Sequence, residues 1–286
     1  ASQITGVSYS FTAHAKDIYH ESVVEDELRQ KLADAAAVVT VSQFNVNYLQ
    51  RKYESAAQQV KLIYNGLDLQ AFRFQPGGTR PPLILGVGRL VEKKGFSYLV
   101  DACSILRARG VNFRCEIAGG GVLESDLKKQ VEARGLDDVV RLVGPMSQSD
   151  VKLKIREAAL LAAPCVHAED SDRDGLPTIL LESMALGTPC ISTPVTGIPE
   201  VLHHLDTGLM VAERDSEELA DACAKLLADK ALADGLTRGA RKLIEQRFDI
   251  DKNSACIRKL FDEITGIELA RAPSPTLLKV GGGGLS

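Results

Sequence analysis

Short apolar runs alternate along this chain with longer amphipathic stretches. The runs Gly6–Thr12, Val38–Val41, Val60–Tyr64, Leu83–Val87, Phe113–Ala118, Val139–Val143, Ala159–Ala163 and Pro189–Ser192 are too short for helices, and several of them, such as Leu83–Val87 and Ala159–Ala163, are too continuously apolar for strands with one wet face. Between most of them lie segments of helical periodicity, among them Glu25–Asp34, Phe44–Tyr53, Phe96–Arg109, Glu124–Arg134, Ser149–Glu157 and Ser216–Asp229. Buried strands alternating with helices predict parallel sheets covered on both faces, an α/β architecture of the doubly wound kind.

The alternation is interrupted once. Asn65-Gly66-Leu67-Asp68 through Gln75-Pro76-Gly77-Gly78 is rich in turn formers, and residues 67–78 are read as a domain linker. Residues 79–245 then hold enough strand–helix units for a complete Rossmann-like domain. Residues 1–66 hold only three strands, too few for a typical independent sheet domain, so they are expected to be the last portion of a larger one. Residues 246–268 read as a terminal helix that returns to the first domain. Residues 269–286, with Pro273, Pro275 and four consecutive glycines, read as a disordered tail.

Composition narrows the class. The chain has 286 residues, is 45% hydrophobic and carries a net charge of −4, so it has ample length for a core and no overall bias toward nucleic acid. Its six cysteines are scattered without a Cys-x-x-Cys pair, and no histidines cluster for zinc, which points to free buried thiols in a reducing cytoplasm and to no metal. There is no run of about 18 apolar residues for a membrane span and no secretory leader. A start at Ala1 fits a processed product or a fragment.

The most informative segment is Ala168-Glu169-Asp170-Ser171-Asp172-Arg173-Asp174-Gly175-Leu176-Pro177 followed by Thr178 to Leu186 and Gly187-Thr188-Pro189. Pro177 suits a first helical position, and Gly187 with Pro189 a stop. An acidic loop thus opens onto a helix mouth, where unpaired N–H groups and the helix dipole favour phosphate. Asp174 and Glu182 flank that mouth, near enough for one ligand to meet both through hydroxyl groups. An acidic cap with one solvated Glu fits the same pattern.

Leu83 to Val87 runs into Gly86-Val87-Gly88-Arg89, with Lys94-Gly95 just beyond. Glycines at the carboxyl end of a parallel strand let backbone approach a ligand, and Arg89 and Lys94 are placed to reach two phosphates; a solvated surface turn is the alternative. The dinucleotide fingerprint and the P-loop pattern are both missing. Gly119-Gly120-Gly121 ends a second strand, most simply to let the chain enter the next helix. His14 ends the first strand, where a neutral imidazole can bond a sugar hydroxyl. Thr12, Lys16 and Asp17 are weaker candidates beside it. His167 is a candidate to line the same cleft, and His203 and His204 read as surface residues.

Taken together, Phe11 to His14, Asn65-Gly66-Leu67-Asp68, Gly86 to Arg89 with Lys94-Gly95, Gly119 to Gly121, Asp174 to Glu182 continuing to Gly187, and Gly197-Ile198-Pro199-Glu200 with Thr207-Gly208 resemble a family-four retaining glycosyltransferase of the GT-B fold, also called glycosyl transferases group 1, N-terminally incomplete. The resemblance covers about residues 3–265.

It implies that Arg89 and Lys94 bind a donor diphosphate, that Glu182 takes the ribose hydroxyls, and that Asp174 contacts the transferred sugar with one methylene less reach than the family's glutamate. It places backbone groups of Gly86, Gly88, Gly175, Leu176 and Pro177 around the donor, Val143, Gly144 and Met146 at its base, and His14 near the transferred sugar. The implied reaction moves sugar from a nucleotide-sugar to a saccharide or lipid-linked acceptor, in polysaccharide or glycolipid biosynthesis, with no cofactor beyond the donor. The inner membrane face is a place where such enzymes often work. A non-catalytic nucleotide-sugar-binding fragment and a relative such as an epimerase or a glycogen-type synthase share these residues and stay open.

Overall fold

The computed structural model describes residues 7–168 and 175–266. Among the described residues nine strands fall into two wholly parallel sheets. β1 (Ser10–Ala13), β2 (Ala37–Thr40) and β3 (Val60–Leu62) pair in that order. β4 (Leu83–Val87), β5 (Arg114–Ala118), β6 (Val140–Gly144), β7 (Leu160–Ala163), β8 (Cys190–Ser192) and β9 (Leu209–Met210) form the second sheet in the order β6-β5-β4-β7-β8-β9. The order turns back on itself at β4, between β5 and β7, which opens a crevice at the carboxyl ends of these strands, the position where open α/β sheets bind ligands.

The continuous apolar runs have the physical cause expected of them. Along β4, Ile84 faces a core shared with helices Phe96–Ala108, Glu124–Ala133 and Ser216–Ala228. Its neighbours Leu83 and Leu85 face the opposite core, shared with Gln148–Glu157, Thr178–Leu186 and Lys230–Arg247. Strands covered on both sides have no position that must be polar. The small sheet packs helices Glu25–Asp34 and Gln43–Tyr53 against one face around Leu32, Leu49 and Tyr53. On its other face Ala37 and Val39 meet Leu260, Ile257 and Ile264 of helix Ile250–Thr265, and Lys61 pairs with Glu263 at 3.2 Å.

Several boundaries differ from the sequence reading. The first strand is Ser10–Ala13 rather than Gly6–Thr12; Gly6 lies outside the described residues, and the strand begins just after Tyr9, whose carbonyl accepts from Ala36 N–H at 2.9 Å. Pro177 stands one place before its helix, as the N-cap with extended ψ of 121°, because its carbonyl, not its ring nitrogen, begins the turn by accepting from Leu180 N–H at 3.1 Å. The stop at Gly187 is left-handed, with φ 86°. The tail at 269–286 lies outside the described residues. Among the described residues no helix is long and apolar enough to cross a membrane.

The two glycine turns that follow β4 and β5 are bound to each other. Gly88 N–H donates to Ala118 C=O at 2.9 Å and Leu90 N–H to Gly120 C=O at 3.0 Å. Gly119 has φ +145°, and a Cβ there would lie 1.8 Å from the Gly88 carbonyl oxygen. So the second turn does more than admit the next helix; it supports the first. Gly119→Ala is expected to cost about 3 kcal/mol or more, because backbone must shift. Gly110→Ala, at φ +70° with nothing within 4 Å, serves as the control. It should cost about 1 kcal/mol from strain alone. Urea unfolding of the two variants checks the contrast.

Candidate functional site

Helix Thr178–Leu186 is buried almost all round: Ile179 to Leu181 and Ser183 to Leu186 are all buried. Thr178 and Glu182 are the two residues it leaves accessible, and at i, i+4 they share one face. That face opens on a cleft of about 230 Å³ lined also by Gly88, Lys94, Pro177, Gln148 and Val151. The Lys94 stem lies along Gly88, with Cε 3.2 Å from where a Cβ would stand. Four residues singled out in the sequence, Gly88, Lys94, Pro177 and Glu182, therefore meet in one place at the carboxyl end of β4. Gly86 is buried inside the strand beneath it, and Arg89 is exposed just after Gly88.

The helix mouth has no side-chain cap, since Pro177 has nothing to offer one. Its first-turn N–H groups and dipole face the cleft that Lys94 also faces, an arrangement suited to an anion. Glu182 has its carboxyl pushed above the ordinary carboxylate range by burial, with Lys152 pulling the other way. A half-buried carboxylate with room beside it can accept from ligand hydroxyl groups.

Val143, Gly144 and Met146 lie where β6 ends, beside the β5 turn; Gly144 C=O accepts from Gly119 N–H at 2.9 Å, and Val143 is 39% exposed. His14 sits immediately after β1, half-exposed, with its backbone N–H on the Asp17 carboxylate at 2.9 Å. The next residue, Ala15, approaches the donor-side helix: a Cβ on Gly175 would lie 3.2 Å from its own Cβ. Leu176 is partly buried against the core beneath the helix. Asp174 lies outside the described residues.

Other candidates go elsewhere. His167 turns to Glu213, with Nδ1 3.0 Å from the carboxylate and backbone N–H at 2.9 Å, while Arg214 donates to its carbonyl at 2.6 Å. Its ring is engaged away from the cleft. Thr12, Lys16 and Asp17 line a separate cavity of about 510 Å³ with Glu27 and Lys31. His203 lies 3.6 Å from Asp206, and His204 bonds the Met210 backbone. A cavity of about 180 Å³ beside Gly77, Arg80 and Lys230 holds a guanidinium already committed to the Ala158 and Gly187 carbonyls and the Thr188 hydroxyl. It is a structural feature. Among the described residues no group of three or more metal-ligating side chains comes together.

Sequence reasoning missed Thr178 and Gln148 in the cleft. The i, i+4 spacing to Glu182 was the available signal for Thr178; Gln148, from a helix 30 positions earlier by number, offered none.

Residues 70–243 match the family model described as glycosyl transferases group 1. The chain is 33% identical over 195 residues to the amylovoran biosynthesis glycosyltransferase AmsK of Erwinia amylovora, covering 68% of this chain and 48% of that protein. It is 30% identical over 257 residues to a GDP-mannose-dependent alpha-(1-6)-phosphatidylinositol monomannoside mannosyltransferase of Mycobacterium tuberculosis, covering 85% of this chain and 65% of that one. The chain thus spans about half the length of the first relative and under two thirds of the second. Among solved structures it resembles Anabaena Alr3699/HepE in complex with UDP, with TM-score 0.77 and 20% identity over 92% of this chain and 74% of that one. The α/β GT-B fold class expected from the sequence is the one observed.

Burial of Glu182 has a measurable consequence. A carboxyl whose folded pKa is raised favours the protonated form in the folded state, so its stabilising contribution is full below the ordinary carboxylate range and is lost as pH rises through the folded value. At pH 7 the charge therefore opposes folding. Glu182→Gln should raise the unfolding temperature of the ligand-free chain at pH 7 by roughly 1–3 °C, and this gain should shrink toward pH 4. Calorimetry across that range reads both.

Proposed function

The chain belongs to the glycosyl transferases group 1, and we propose that it carries out retaining transfer of a sugar from a nucleotide-sugar to a saccharide or lipid-linked acceptor. The observation that carries this reading is the meeting of Gly88, Lys94, Thr178 and Glu182 in one cleft at the mouth of a buried helix. A diphosphate is the ligand such a mouth suits, and Glu182 stands one turn further on, at the reach of a ribose attached to it.

In this reading Arg89, Lys94 and the amides after Pro177 hold the diphosphate. Glu182 accepts from the ribose hydroxyls, and Val143, Gly144 and Met146 border the base. Asp174 and His14 contact the transferred sugar, with Gly86, Gly175 and Leu176 shaping the backbone around it. Cleavage of the anomeric bond builds positive character on the sugar and negative charge on the departing diphosphate. The cations and the helix mouth stabilise that charge where it develops. No described carboxylate is placed as a covalent nucleophile, so the reading takes same-face attack, assisted by the leaving phosphate, as the course of reaction. The relatives' names include amylovoran biosynthesis and mannosyl transfer to a phosphatidylinositol monomannoside. They support acceptors of those classes.

Titration calorimetry with UDP and GDP tests the donor site. One of the two should bind the wild-type chain, and Arg89→Ala and Lys94→Ala should each weaken it on the order of tenfold to a hundredfold, the loss of one charge-assisted contact. Unchanged affinity in both variants would remove the diphosphate from this cleft.

A further inference from the structure

Glu200 lies outside the donor cleft, yet its carboxylate joins the two sheets. Oε2 accepts from Gln43 N–H at 2.8 Å and Oε1 from Phe44 N–H at 2.9 Å, the first two amides of helix Gln43–Tyr53. Oε2 also accepts from the Tyr64 hydroxyl at 2.7 Å, and Arg247 donates to that same hydroxyl at 2.7 Å. Burial, and then Glu200, push the Tyr64 phenol well up, so the hydroxyl stays a donor. A carboxylate on the amino end of a helix is favoured both by the dipole and by charge-assisted hydrogen bonds. Here Glu200 caps the helix from 157 positions away, beside the helix's own N-cap residue Ser42, whose Oγ accepts from Asn45 N–H at 3.1 Å.

From that cap the contacts run in two directions. Toward β1, Asn45 in the same first turn donates to Thr40 Oγ1 at 3.0 Å, and Thr40 Oγ1 donates to Ala13 C=O at 2.8 Å. Thr40 and Asn45 are fully buried, so this polar chain has no water to substitute for a lost partner. Ala13 is the residue before His14. Toward the donor, Thr196 Oγ1 and Gly197 N–H both donate to Gly175 C=O, at 2.6 and 2.9 Å. Gly197 is pinched between the two sides: a Cβ there would lie 2.9 Å from Gly175 O and 3.0 Å from Ser42 Cβ. One five-residue segment, 196–200, thus holds the entrance of the donor-side helix at one end and the backbone that carries His14 at the other.

We propose that Glu200 is a positioning residue, which by clasping helix Gln43–Tyr53 sets where His14 stands against the Gly175 entrance of the donor site. The inference rests on the donor-site reading for its functional meaning, but the coupling itself is present in the chain without ligand. Loss of the Glu200 charge leaves two amides at a helix start without their carboxylate and loosens the first turn, in which Asn45 then keeps the Ser42 hydroxyl at 3.1 Å and the Tyr19 hydroxyl at 2.8 Å beside Thr40. His14 then moves although nothing that touches nucleotide has changed.

The test is amide exchange and histidine proton NMR on the wild-type chain, Glu200→Gln and Tyr64→Phe, each alone and with UDP or GDP. Glu200→Gln is expected to speed exchange of the Gln43 and Phe44 amides on the order of tenfold and to shift the His14 ring resonance, assigned with His14→Gln. His203 and His204 should stay in place. Tyr64→Phe, which keeps the carboxylate and removes one donor, should move the same signals less. Nucleotide protection of the 178–182 amides should be equal in wild type and Glu200→Gln. Faster exchange at Gln43 and Phe44 with an unmoved His14 signal would overturn the proposal and leave Glu200 a helix cap. Weakened nucleotide protection in Glu200→Gln would also overturn it, by making Glu200 part of the donor site. Failure of both nucleotides to protect the wild-type 178–182 amides counts against the donor-site reading alone, because the His14 response is read without ligand.

Discussion

The amino end of helix Thr178–Leu186 is the constraint around which this protein is arranged. Almost every side chain of the helix is buried, so it cannot turn or slide to find partners for its first amides. Pro177 before it supplies no side-chain cap. A rigid, uncapped helix mouth in a protein interior is an unpaired electrostatic feature, and the surrounding structure directs it outward, into a cleft shared with Lys94 and Gly88. The fold makes that cleft by topology: the strand order reverses beside β4, whose carboxyl end borders the cleft through Val87 and Gly88. The paired turns after β4 and β5 then hold the floor in place through backbone bonds that only a residue without a side chain at 119 allows.

The smaller sheet, β1 to β3, approaches the same mouth by other means. Its contacts with the larger sheet are a mixture of apolar and strongly polar ones. Leu62 and Tyr64 pack into the core around Phe248, with the Tyr64 and Phe248 ring centres 4.7 Å apart. Helix Ile250–Thr265 returns to cover Ala37 and Val39. The bridge Leu67 to Asp249 ties the start of the intervening segment to the start of that helix, with Leu67 N–H on Phe248 C=O at 2.7 Å. Apolar packing of this kind tolerates small rotations; hydrogen bonds to a carboxylate do not. Glu200 thereby adds a directional constraint to a joint that is otherwise held by area.

Much of this was legible in the chain because the physics that writes it is local. Continuous apolar strands, the turn at Gly88 and the stop at Gly187 all follow from nearest-neighbour rules. Two elements carry weak local signals. β9 is two residues long, and helix Lys230–Arg247 contains Gly235 and Gly239, which read as breaks. What the sequence withheld depends on distance. The Glu213 carboxylate that claims His167 is 46 positions away, and nothing in the pattern around either residue announces it. Glu200 looks like an ordinary acid in a proline turn until helix Gln43–Tyr53 is set above it. Pro177 was displaced by one position for a simpler reason: first-helical and capping prolines have similar φ, and ψ decides between them.

The most direct measurement is a crystal structure of the chain with UDP or GDP bound. The diphosphate is expected over the first turn of helix Thr178–Leu186, within hydrogen-bonding distance of Lys94 and Arg89, with the ribose hydroxyls on Glu182. A nucleotide seated elsewhere, such as the cavity beside Arg80 and Lys230, with the helix mouth left to water, would contradict the central claim that this uncapped helix end is the donor site.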